Sequence, residues 1–222
     1  MAGIAEDLFL LLLDNASAQP HLDRPRRGRV LAAAVLLDLA HAGRIRPAVH
    51  GEPAAGRLIA LAAAGPLDPV AEPAWQLLVG KPLRPDAAIK KLSKHTEDRL
   101  VDHLQRLGQL RRVNGSSVRS RRSQALPLTS RDRVGPARTA VLSALFDRTP
   151  PAPTTAAVIT VLHAVDGLGA LLSLNDRGWR WVHARAGEIA SGSWVDESPA
   201  TVAEVNLAVT AAAVRQALSR LQ

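Results

Sequence analysis

No cysteine occurs in the 222 residues, which excludes disulfides, thiolate metal sites and thiol nucleophiles and permits a reducing, intracellular location. Tyrosine is absent as well and aromatics reach only 3%, too few to build platforms on which successive nucleic-acid bases stack. Long apolar runs are also missing. The stretch IAEDLFLLLL is ten residues long, about half of what a bilayer span needs, and Glu6 and Asp7 stand where a secretory leader would carry positive charge. The expectation is a cytoplasmic protein, attached to a membrane peripherally if at all.

Catalytic patterns are wanting too. There is no HExxH, no GxSxG, no glycine-rich phosphate loop and no carboxylate pair with a plausible cleft. Among the seven histidines, His95 and His103 are two helical turns apart with no third ligand at metal spacing, and His41 and His163 fall on apolar segments as satisfied core or edge residues. No enzyme, cofactor or metal is expected.

What is present is helix. From Arg29 to Ile45 the apolar residues Val30, Leu31, Ala34, Val35, Leu37, Leu39 and Ala42 leave Asp38 and His41 as the polar interruptions, and Gly43 follows where a C-cap belongs. A helix apolar nearly all round must be wrapped by others. The rest of the chain offers them: Ile4 to Leu13; Asp68 to Val79 with Trp75; two helices after Asp86, the second with Thr96 as N-cap and Gly108 as C-cap; Arg133 to Phe146; Thr154 to Val165; Leu168 to Leu174; Trp179 to Ala190; and Thr201 to Leu221, opened by a Thr201 to Glu204 capping box. The run Leu58 to Ala64 fits strand or helix, and Lys81 to Pro85 reads as a turn. Trp179 and Trp181 are read as packing residues. The expectation is an all-α fold, one domain over residues 1–222, with a central buried bundle ringed by amphipathic helices. Strand is expected only in one β-hairpin near 111–129, where Asn114-Gly115 and serines replace helical periodicity.

Charge is uneven. Of the 28 basic residues only four are lysine, an arginine and alanine bias that fits GC-rich bacterial coding, and the net charge is +8. Between Arg106 and Arg138 nine arginines face one acid, Asp132, so the whole net charge lies on the hairpin and its flanks. A second dense spot, Arg24, Arg26, Arg27 and Arg29, is placed beside a loop ahead of the central helix. Such patches concentrate anions, whether lipid headgroups or nucleic-acid phosphates.

These residues carry a resemblance. LFLLLLD, DLAHAGRI, DRLVDHLQRLGQL, TTAAVITVLHAVDGL, ARAGEIA and TVAEVNLAVTAAA, in that order over nearly the whole chain, resemble the Golgi phosphoprotein 3 family in its bacterial branch. The resemblance implies a peripheral membrane protein, since eukaryotic members bind phosphatidylinositol 4-phosphate in a basic pocket and recruit Golgi enzymes and coat proteins. Aligned by eye, the pocket's Trp falls near Asp23 and its Arg near Ala32, while Lys94 matches one basic position of the second helix and Glu97 replaces the other. The implied lipid- or anion-binding set is Arg24, Arg26, Arg27, Arg29, Lys90, Lys94 and Arg99. A membrane-facing hairpin would present Val118, Arg119, Arg121 and Arg122, and since Val113 to Gln124 offers serine and arginine where the family has apolar residues, attachment would be electrostatic, at about 1 kcal/mol per arginine. The expected partners are an anionic membrane lipid and proteins on the membrane, with oligomerisation through the hairpin compatible.

Helices followed by an arginine-rich hairpin also describe a winged-helix nucleic-acid-binding regulator. Glu97, Asp98 and Asp102 on the helix that would read bases repel phosphates, so nucleic acid is the weaker reading.

Overall fold

The computed structural model describes residues 3–62, 65–112, 125–195 and 201–222. In chain order the regular elements among them are α1 (Ile4–Leu13), α2 (Arg24–His41), β1 (Ile45–Pro47), β2 (Leu58–Ala60), α3 (Glu72–Gly80), α4 (Pro85–Leu92), α5 (Thr96–Arg106), α6 (Val134–Phe146), α7 (Pro153–Ala164), α8 (Asp176–Ala190) and α9 (Val202–Ser219). The protein is mostly α-helical with one small sheet, as its periodicity predicts. None of these helices is long and apolar enough to cross a membrane.

The central helix is α2, which packs against α1, α4, α5, α7 and α9. From Val30 to Leu37 its residues are sealed from solvent, and Ala32, Ala33 and Ala34 let neighbouring backbones approach. Its C-terminus closes as the sequence suggests. Gly43 takes φ +65°, its N–H bonds to the Ala40 carbonyl and that of Arg44 to the Leu39 carbonyl, the paired bonds of a Schellman motif. Gly108 ends α5 in the same way. The Thr201 to Glu204 capping box is present on α9.

Several local expectations fail. The helix α2 begins at Arg24, five residues early, because Asp23 caps it by accepting from the Arg26 N–H at 2.9 Å and Pro25 fits its first turn. The arginines expected beside a loop are therefore helical. Thr96 is not an N-cap: its hydroxyl donates back to the Leu92 carbonyl at 2.8 Å and so joins α5 to the end of α4. Leu168 to Leu174 holds only a 3₁₀ turn at Leu168–Ala170. The sheet lies elsewhere than expected: β1 and β2 pair antiparallel in the register Ile45 with Ala60, and Leu83, placed in a turn by sequence, bridges to Leu58. An antiparallel bridge joins Leu110 to Leu128, and residues 113–124 of the hairpin expected near 111–129 lie outside the described residues. Val118, Arg119, Arg121 and Arg122 lie outside the described residues. Trp181 stacks on Phe146 at 5.8 Å and Trp179 tilts against His183 at 5.5 Å, the packing role expected of both. His163, expected to be satisfied, has its Nδ1 buried without a hydrogen-bond partner among the described residues.

Asp38, the acid inside α2, answers why α1 starts where it does. Gly3 supplies no side-chain cap. Instead Asp38 reaches across, its two carboxylate oxygens accepting from the N–H groups of Ile4 at 2.5 Å and Ala5 at 3.0 Å. Burial outweighs those bonds and pushes the Asp38 carboxyl up to about 7 from the ordinary 3.8. A native pKa above the unfolded one means that the folded protein holds its proton longer, so stability falls as pH rises from about 4 to about 7, by roughly 4 kcal/mol at most. Urea midpoints between pH 5 and 8 should decline for the native chain more steeply than for Asp38→Asn, whose side chain does not ionise. Equal slopes would show that Asp38 does not titrate in this window.

Candidate functional site

Two basic segments separated by some sixty residues of sequence meet at the N-terminal end of α2. The close approach depends on Gly28, where an added Cβ would lie 2.7 Å from the Ser93 carbonyl oxygen, so only glycine lets the first turns of α2 rest on the α4–α5 junction. The contact places the turn of α2 that carries Arg27 beside the α4–α5 junction, where Arg27 reaches Glu97. The positive pole of α2 points the same way, and an anion placed there interacts favourably with the helix dipole.

The cations are not equivalent. Arg27 forms a 2.8 Å ion pair with Glu97 and donates to the Leu22 carbonyl. Arg26 pairs with Asp23 at 3.2 Å, and the Arg29 guanidinium donates to the carbonyl of Leu221 near the C-terminus. Arg27 and Arg29 thus hold the fold together. Arg24, Lys90 and Lys94 are exposed and form no ion pair among the described residues, and Arg99, one turn into α5, is half-buried.

A further basic feature escaped sequence reasoning. Arg57, Arg84 and Arg220 line a cleft of about 450 Å³, with Asp86, Gln216 and the β1–β2 connection completing its wall. Arg220 follows α9 directly before Leu221, whose carbonyl holds Arg29. Asp86 pairs with Arg84 at 3.2 Å and Arg57 donates to the Pro82 carbonyl. No local spacing signals this cleft, because its arginines come from three separate parts of the chain.

The flanks of the hairpin look different in space than in sequence. Arg133 pairs with Glu6 and, at 2.7 Å, with Asp7; Arg131 and Arg138 both reach Asp14 at 3.3 Å; Arg112 reaches Asp102 at 2.8 Å. The charge that sums to +8 along the chain is thus partly neutralised by acids of α1, of its C-cap and of α5. An acid-poor segment of sequence need not be acid-poor in the fold.

A search of curated proteins finds no match to this chain. The family model described as Golgi phosphoprotein 3 (GPP34) matches residues 4–218, from the first residue of α1 to the last turn of α9. With nearly every helix described above inside that match, the chain belongs to the Golgi phosphoprotein 3 family.

Proposed function

We propose that the protein is a peripheral membrane adaptor that binds anionic phospholipid headgroups through the surface where α2 meets the α4–α5 junction. Membership of the family fits a lipid-associated adaptor, and the family is a non-catalytic one. The observation that supports the reading is the Gly28 approach to Ser93, since Arg24 lies one turn before Gly28 at the positive end of an 18-residue helix and Lys90 and Lys94 flank Ser93 in sequence. Arg26, Arg27, Arg29 and Arg99 support that surface, and Arg119, Arg121 and Arg122 add charge from the hairpin. With Asp23 and Ala32 at the positions of the family's Trp and Arg, recognition rests on charge more than on headgroup shape. A phosphatidylinositol 4-phosphate headgroup would then be held chiefly for its negative charge.

Co-sedimentation with anionic and neutral vesicles across a salt series tests this. Binding should be strong to anionic vesicles, weak to neutral ones and steeply reduced by salt, because exposed charges are screened beyond about 8 Å at physiological ionic strength. Changing Arg24, Lys90 and Lys94 together to Ser should weaken it by roughly 3 kcal/mol at low salt, with the melting temperature nearly unchanged because the three side chains are exposed. The Arg119, Arg121 and Arg122 triple Ser variant should lose a comparable amount. Unaltered binding by both triple variants would sink the proposal, and tighter binding to a DNA duplex than to anionic vesicles would favour the winged-helix reading.

A further inference from the structure

Glu6, Asp68 and His103 come from α1, from the loop before α3 and from α5, yet one ligand atom of each lies within 4.8 Å of the other two. His103 Nε2 is 3.0 Å from Glu6 Oε1. Donors that each sit about 2.1 Å from one ion are at most about 4.2 Å apart, so the three atoms need to close by only a few tenths of an ångström. Glu6 and His103 form a buried floor and Asp68 an exposed mouth, which gives an ion a way in.

A second observation concerns charge. Around this floor stand not two carboxylates but four: Asp38 is close enough to feel both Glu6 and Asp68, and Asp7 is close enough to feel Glu6. The guanidinium of Arg133 bonds to Glu6 and Asp7. A crowding of carboxyl groups at a largely buried place is what a bound cation would relieve. The supporting contacts suit one as well. Arg133 holds the second oxygen of Glu6, leaving Oε1 turned toward His103, and the Val70 N–H donates to Asp68 Oδ1 at 2.7 Å and steadies that carboxylate.

We propose that Glu6, Asp68 and His103 bind one divalent transition-metal ion of the zinc class. An imidazole with two carboxylates is a nitrogen and oxygen donor set suited to zinc, and water would complete the tetrahedron. The ion ties α1 to α5 and to the loop ahead of α3. Its role is structural.

The test uses the full chain, stripped with a chelator, dialysed, and titrated with zinc chloride by calorimetry and with cobalt chloride by visible absorption. One equivalent of zinc should bind with micromolar or tighter affinity, the thermal midpoint should rise, and cobalt should give ligand-field bands. Asp68→Asn alters an exposed side chain and keeps its acceptor for Val70, so the fold survives; it should weaken zinc binding by at least ~10-fold and erase the cobalt bands. His103→Gln, which retains a donor toward Glu6, should do the same. If the parent takes up no zinc at micromolar concentration, or if both variants bind it as the parent does, the proposed site is wrong.

Discussion

A Leu37→Asp chain is expected not to accumulate as folded protein. Leu37 is wholly buried on the central helix α2, and an unpaired carboxylate in such surroundings costs several kcal/mol even after it takes up a proton. Whole domains are stable by only about 5–15 kcal/mol. The neighbouring position makes the point sharper. Asp38 is tolerated one residue on because two N–H groups of α1 end against it, whereas Leu37 is held within the apolar core. Soluble yield and far-ultraviolet circular dichroism are the measurements. A folded Leu37→Asp protein with unchanged melting behaviour would show that α2 is not the centre of the fold.

Helices and their ends were legible in the sequence wherever the controlling interaction is local. Gly43 and Gly108 needed only a positive φ and a carbonyl a few residues back, and the capping box of α9 closes within four residues. The start of α2 lies five residues ahead of the expected one although Asp23 and Pro25 announce it, because the arginines there fall outside the apolar period on which the expectation rests. The β1–β2 ladder was missed for a plainer reason. Each strand is three residues long, too short for a two-residue period to register, and the turn between them draws on a bidentate Arg46 to Glu52 pair. The meeting of α2 with the α4–α5 junction was legible only through the family resemblance, since Gly28 says nothing of its partner until Ser93 is placed beside it. The acids around His103 were not legible at all: Glu6, Asp68 and His103 share no spacing, and Asp38 acts across 34 positions.

Arg133 separates charge counted along a chain from charge placed in space. By sequence it belongs to the basic stretch beside the hairpin, and removing it should weaken binding to anionic vesicles while leaving stability alone. Its position predicts the reverse. The guanidinium is about four-fifths buried between Glu6 and Asp7, 126 residues away in the chain, and taking one partner from a buried ion pair leaves uncompensated charge at a cost of roughly 3 kcal/mol or more. Arg133→Met keeps most of the volume and removes the charge. The loss should grow with pH. Burial already raises the Asp7 carboxyl, and Arg133 is the main influence lowering it; without Arg133 the native pKa rises further above the unfolded one, so the variant recovers stability when the group is protonated and loses it as pH climbs. Urea denaturation should therefore show a larger deficit at pH 8 than at pH 5, with affinity for anionic vesicles close to that of the parent at temperatures where both are folded. A stable Arg133→Met protein that binds vesicles less well would return this arginine to the surface, and with it the reading of the flanking charge as a membrane patch.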